Sequence, residues 1–151
     1  WTHQEPPQAS KGVYRLAPGA AAPVRVAADF NQPNGITGTP DGKTLYVAEI
    51  GAKKVWRFDI RKDGMLGDRS LVCEAPSDGM TIDREGRLYL TNGDGVVVVA
   101  PDGRILEKIA VPEKWTANVC FGGPDRRTLF ITASTGFYSV RLRTAGANPA
   151  K

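Results

Sequence analysis

The sequence predicts an all-β fold assembled from β-propeller blades, and three observations carry that expectation. The first is the outline of residues Pro33 to Glu49, a strand, a tight polar turn and a second strand. Ile36, Leu45, Tyr46 and Val47 suit a pleated, half-buried ladder, while Pro40-Asp41-Gly42-Lys43 has the turn chemistry of a hairpin: a preset φ, a self-bonding carboxylate and a residue tolerant of positive φ. The second is its return as Ser77 to Leu90 and as Thr116 to Ile131, with the ruler residues Leu45, Leu88 and Leu129 spaced 43 and 41 residues apart. The third is the content of each period, four strand-like runs and no long helical pattern, which fits propeller blades of about 40–45 residues.

A chain of 151 residues is long enough to bury a core. At about 42 residues per repeat it holds three to three and a half blades, fewer than the about four to eight of closed propellers. The expectation is therefore part of a longer polypeptide, or a ring completed by another chain. The start at Trp1 with no initiator Met reads as a truncated or processed product.

Residues 1–11 are polar and Pro-rich and read as a loop that leads into a strand, with His3 a surface histidine. Gly12 to Leu16 and Pro23 to Ala27 flank the Pro18-Gly19 turn and read as the outer half of a blade whose inner strands lie upstream. The first full repeat, 33–75, continues through Lys54 to Ile60, with Trp56 and Phe58 as core, to a fourth strand around Arg69 to Cys73. The second, 77–111, has strands near 79–83, 87–91, 95–100 and 105–111; its run Val96-Val97-Val98-Val99 lacks alternation, as expected of a strand covered on both faces. The third, 116–143, offers strands near 118–121, 128–132 and 136–143, and residues 144–151 read as a frayed tail with no fourth strand.

The charge of +4 and the pI of about 9.2 come from basic residues set beside acids or at turns. These read as solvated charges, not as the basic stripe with interleaved aromatics that nucleic acid requires. Cys73 and Cys120 lie in apolar strand contexts and read as small buried thiols, not a disulfide. No apolar run approaches 18 residues and no signal peptide is visible, so the expectation is a soluble protein, cytoplasmic or periplasmic, with no membrane partner.

If the first strand of each repeat lines the central channel, the residues just before it, Asn34, Asp78 and Asn118, stand at the channel mouth. The second strand returns to the same rim, which brings back Glu49, Asn92 and Ser134. Amide and carboxylate oxygens converging on one axis suit a hard divalent cation, and the scarcity of His and Cys argues against the usual zinc site. Pro-Asn-Gly and Ser-Asp-Gly are also ordinary turn formers, so the residues alone leave both readings open. Trp115, next to the third rim position, reads either as a pocket wall or as an aromatic packed between blades.

The ordered set of motifs Pro33-Asn34-Gly35-Ile36, Pro40 to Ala48, Ser77-Asp78-Gly79-Met80 with Asp83 and Glu85-Gly86, and Phe121-Gly122-Gly123-Pro124-Asp125 resembles the C-terminal half of the gluconolactonase/regucalcin (senescence-marker-protein-like) family. That resemblance implies a six-bladed propeller when complete, one divalent cation in the channel, and hydrolysis of sugar lactones. Calcium is the first expectation for the cation, with zinc, manganese or magnesium as substitutes. Carried over residue by residue, it implies Asn34 and Asp78 as metal ligands and Asp78 also as the catalytic general base. Asn118 and Trp115 are then candidate substrate contacts. A third ligand, a Glu of the first blade, is expected upstream of Trp1, in the N-terminal half supplied by the same or another chain. Two alternatives remain: a non-catalytic propeller that binds a partner at this rim, and an esterase or phosphotriesterase on the same scaffold.

Overall fold

Runs of β-branched and aromatic residues, punctuated by Asp-Gly and Glu-Gly turns, deliver thirteen strands among residues 11–147, the part of the chain described by the computed structural model. His3, the Pro-rich start and residues 148–151 lie outside the described residues. Strands β1 (Val13–Arg15) and β2 (Val24–Ala27) form a two-stranded sheet. Next comes a four-stranded meander of β3 (Pro33–Gly38), β4 (Thr44–Glu49), β5 (Lys54–Ile60) and β6 (Leu66–Cys73). A second contains β7 (Met80–Ile82), β8 (Leu88–Asn92), β9 (Gly95–Val99) and β10 (Ile105–Ile109). The third, β11 (Thr116–Gly122), β12 (Thr128–Ala133) and β13 (Phe137–Arg141), has three strands. All neighbouring strands are antiparallel, and the inner strands β3, β7 and β11 gather side by side as in a propeller. No helix among the described residues is long and apolar enough to cross a membrane.

The turns share one device. In five of them an Asp carboxylate accepts the N–H two residues on: Asp41 from Lys43 at 3.1 Å, Asp63 from Met65 at 2.9 Å, Asp83 from Glu85 at 3.0 Å, Asp102 from Arg104 at 3.1 Å and Asp125 from Arg127 at 3.2 Å. Where Gly42, Gly64 and Gly103 follow the Asp, they take the positive φ the reversal needs, between 68° and 89°. At the last of the five turns that position is Arg126, with φ 57°.

Arg126 earns its place through its side chain, whose Nη2 donates to Ala147 O at 2.7 Å while Gly146 N donates to Arg126 O at 2.9 Å. The stretch read as frayed is therefore ordered through residue 147. Ala147 N reaches Ile82 O at 3.1 Å, Arg84 N reaches Ala145 O at 3.1 Å, Asp83 and Gly146 form a β-bridge, and Thr144 Oγ1 donates to Glu85. Polar composition suggested fraying; paired backbone groups on the second and third sheets prevent it.

Packing follows the alternation of the strands. Leu88, Leu90, Val97 and Val99 meet Tyr46, Ala48, Val55 and Cys73 of the first meander, whereas Tyr89, Val96 and Val98 meet Val119, Phe121, Leu129 and Ile131 of the third. Tyr89 and Phe121 stack edge to face with centroids 5.0 Å apart. The valine run is buried on both faces, as its lack of alternation predicts. Phe58 is core, packed on Phe30, Val13 and Val47; Trp56 is only half-buried, beneath the Arg69 guanidinium at 4.5 Å.

The two cysteines differ. Cys73 is buried, and burial pushes its thiol up to about 11; Cys120 is exposed, because side chains on β11 alternate and Val119 and Phe121 take the core face. The expectation of two buried thiols fails at Cys120 for that reason. In the native state a thiol reagent at pH 8 should titrate one fast equivalent, and two in denaturant. Since folding raises the Cys73 value, its contribution to stability is full below the ordinary thiol range of about 8.5 and is lost as pH rises through about 11.

Candidate functional site

The site is built where the three inner strands begin. On β3 the pairing Pro33↔Glu49 is followed by Ile36↔Val47, and on β11 Thr116↔Ala133 is followed by Asn118↔Thr132, so both strands carry an extra residue at the rim. Such bulges turn a side chain out of the regular alternation. Here they leave Asn34 and Asn118 exposed beside Asp78.

The glycines of the motifs allow the strands to approach. A Cβ on Gly35 would lie 2.6 Å from the Asp78 carbonyl oxygen, and one on Gly79 would lie 2.2 Å from Asn118 Oδ1. Neither glycine has a positive φ. The turn reading of Pro-Asn-Gly and Ser-Asp-Gly thus gives way to close packing of neighbouring inner strands.

Asp78 is the meeting point. Asn34 Nδ2 donates to Asp78 Oδ1 at 2.8 Å, and Trp115 Nε1 donates to Asp78 Oδ2 at 2.8 Å. The backbone beneath is held by two buried hydroxyl residues that sequence reasoning missed. Ser77 Oγ donates to Gly79 O at 2.8 Å and accepts from Thr91 N at 3.2 Å, and Gly79 N donates to Thr91 Oγ1 at 2.9 Å. Asp78 N completes the frame by donating to Thr91 O at 2.8 Å. Only Ser77 carries a sequence signal, its place immediately before Asp-Gly, where a hydroxyl is suited to local backbone bonding.

A polar cleft of about 220 Å³ opens between these strands, lined by Asn34, Gly35, Asp78, Gly79, Met80 and Asn118 among others. Asn118 Oδ1 accepts from its own neighbour, Val119 N, at 2.8 Å. The returning residues reach the rim but serve as scaffold. Glu49 is 5% exposed and accepts from Asn31 N at 2.5 Å and Trp56 Nε1 at 2.6 Å, which fixes the approach to Pro33 and Asn34. Asn92 Nδ2 donates to Pro76 O at 3.0 Å, and Ser134 Oγ donates to Trp115 O at 3.2 Å. Among the described residues no three His, Cys, Asp or Glu side chains cluster as metal ligands, so any cation here would rest on Asp78 with amide oxygens.

Residues 1–135 match the family described as SMP-30/Gluconolactonase/LRE-like region. The chain belongs to this family. It is 32% identical over 149 residues to a gluconolactonase of Zymomonas mobilis, covering 89% of this chain and 41% of that protein. Among solved structures, a gluconolactonase of Xanthomonas campestris superposes with a TM-score of 0.82 at 34% identity, covering 92% of this chain and 47% of that one. A calcium-binding protein, regucalcin, of Agrobacterium tumefaciens superposes with a TM-score of 0.80 at 23% identity, covering 92% of this chain and 55% of that one, a likeness of fold. The chain thus spans about half the length of these family members or less, and the sheets described above are propeller blades.

Proposed function

We propose that this chain supplies about half of a sugar-lactone hydrolase, with Asp78 and Asn34 as the cation-binding and reacting groups of its rim. The observation that carries the reading is the convergence of Asn34 and Asp78, 44 residues apart in sequence, to 2.8 Å at the mouth between neighbouring inner strands. The names of relatives more than 30% identical to the chain, gluconolactonases, supply the substrate class.

The donor set fits a hard divalent cation. A carboxylate and a carboxamide that meet at 2.8 Å offer the charged and neutral oxygens such an ion takes. Rotating the Asn34 carboxamide would present Oδ1, in place of Nδ2, beside Asp78 Oδ1. Calcium heads the choices, with zinc, manganese or magnesium as substitutes. Bound there, the cation supplies Lewis-acid polarisation of the lactone carbonyl. Asn34 and Asp78 would hold it, and the Asp78 carboxylate would accept a proton from water. The water oxygen adds to the acyl carbon, the ring C–O bond breaks, and Asp78 returns the proton to the leaving ring oxygen, giving a hydroxy acid. A carboxylate that shares its charge with a cation is a weaker base, so the holding role of Asp78 comes first. Asn118 stands on the third strand of the same cleft as a contact for lactone hydroxyls. The rest of the substrate wall belongs to blades outside this sequence.

The test is a calcium titration of the complete protein by thermal shift, followed by gluconolactone opening in a pH-indicator assay. Stabilisation by the cation and turnover that EDTA abolishes are the expected results. Turnover indifferent to EDTA would overturn the cation reading, and stabilisation with no turnover would establish a binding module.

A further inference from the structure

We propose that Trp115 is a positioning residue for Asp78: its indole N–H holds Oδ2, so that Oδ1 alone is turned to Asn34 and the reacting groups. The inference rests on the lactonase reading of Asp78 above. Three observations support it.

First, the contact is short and one-directional. Trp115 Nε1 lies 2.8 Å from Asp78 Oδ2, and an indole nitrogen donates and never accepts, so this partner cannot reverse its role as a hydroxyl or carboxamide can. Asn34, the partner on the other oxygen, is exposed, and its carboxamide can turn over. Of the two donors the indole is the fixed one.

Second, Trp115 is itself held. Its carbonyl accepts both Ser134 N at 3.1 Å and Ser134 Oγ at 3.2 Å, which ties it to the end of β12. The ring lies over Gly93, where a Cβ would sit 3.7 Å from Cε3 and 3.8 Å from Cζ3, ordinary van der Waals contact with the β8–β9 turn. Trp115 is absent from the lining of the cleft formed by Asn34, Asp78 and Asn118, and its contact with that group is the bond to Asp78.

Third, the chain contains a second indole–carboxylate pair that shows what full satisfaction looks like. Trp56 Nε1 donates to Glu49 Oε2 at 2.6 Å, while Asn31 N occupies Oε1 at 2.5 Å, and Glu49 is buried. Both oxygens there face donors in a closed setting, and the pair is scaffold. At Asp78 the same device secures one oxygen and leaves the other beside a rotatable amide at an open rim.

The test uses Trp115→Phe in the complete protein, which keeps an aromatic ring and removes the donor. The expected result is a kcat for gluconolactone lower by about tenfold with KM within about twofold, the signature of a misplaced group whose substrate contacts survive. A raised KM with kcat unchanged would make Trp115 a substrate wall and overturn the proposal. A lower Tm with both constants unchanged would reduce it to packing and overturn it equally. A second readout needs no turnover: in a ¹H–¹⁵N spectrum of the complete protein, Asp78→Asn should move the Trp115 indole N–H resonance while that of Trp56 stays in place. An indole signal indifferent to Asp78→Asn sinks the proposal even if the protein is a lactonase. A shifted signal in a protein that opens no lactone leaves the contact standing and sinks the lactonase reading instead.

Discussion

Asp78→Asn is expected to lower kcat/KM of the complete protein for gluconolactone by at least about a hundredfold, because general-base assistance alone contributes about 10²–10⁴ in rate. The change is nearly isosteric, so its effect should be chemical. Asp78 now faces two donors, Asn34 Nδ2 on Oδ1 and Trp115 Nε1 on Oδ2, each at 2.8 Å. An asparagine has one acceptor oxygen for the two, and its own NH2 would oppose the other donor. The fixed indole keeps the oxygen, and the Asn34 carboxamide turns over to present Oδ1 to the new NH2, so the contact survives while the base is gone. The negative charge needed for a cation is lost as well. Asp78 sits at a half-exposed rim, so the melting temperature should move by only a few degrees, which separates loss of chemistry from loss of fold. Steady-state kinetics with a calorimetric scan reads both, and turnover at the wild-type rate would remove Asp78 from the reaction.

Gly35→Ala should produce a large structural effect for a single added methyl. The new Cβ would lie 2.6 Å from the Asp78 carbonyl oxygen and 3.3 Å from the Gly79 carbonyl carbon, both backbone atoms with no flexible end to swing aside. Overpacking of this kind costs about 1–3 kcal/mol, and the relief available is separation of β3 from β7. That motion pulls Asn34 from Asp78, so activity should fall about tenfold along with stability. Gly38→Ala is the matched control on the same strand. Its Cβ would meet nothing closer than 3.5 Å, and its stability should change by less than about 0.5 kcal/mol. Chemical denaturation of the two variants reads the contrast, and equal stability would refute the close-approach role of Gly35.

Much of this arrangement is legible in the sequence because hairpins and propeller repeats depend on short-range rules. Asp-Gly turns, the recurrence of Leu45, Leu88 and Leu129, and the unbroken valines all read through to the strands they form. The meeting of Asn34 with Asp78 follows from equal placement in successive repeats. What stays hidden depends on contacts between repeats. Gly35 and Gly79 look like turn glycines until the neighbouring strand is in place, and Trp115 looks like a packing aromatic until its nitrogen is seen on Asp78. Thr91 gives no local sign that it anchors Gly79 from across the sheet. The exposure of Cys120 is hidden too, because an apolar strand context does not say which alternate face meets a neighbour.

The tail past Arg143 acts on more than its own order. Strand β7 has three residues, with Asp78 two positions before it and Ile82 at its end, where Ala147 N bonds the Ile82 carbonyl. Ser77 and Thr91 anchor the opposite end. The strand is thus strung like a bridge cable between two moorings, one at the mouth and one at the underside. Slackening the lower mooring, by breaking the bond between Ala147 and Ile82, loads the segment that carries Asp78 from the far end of β7.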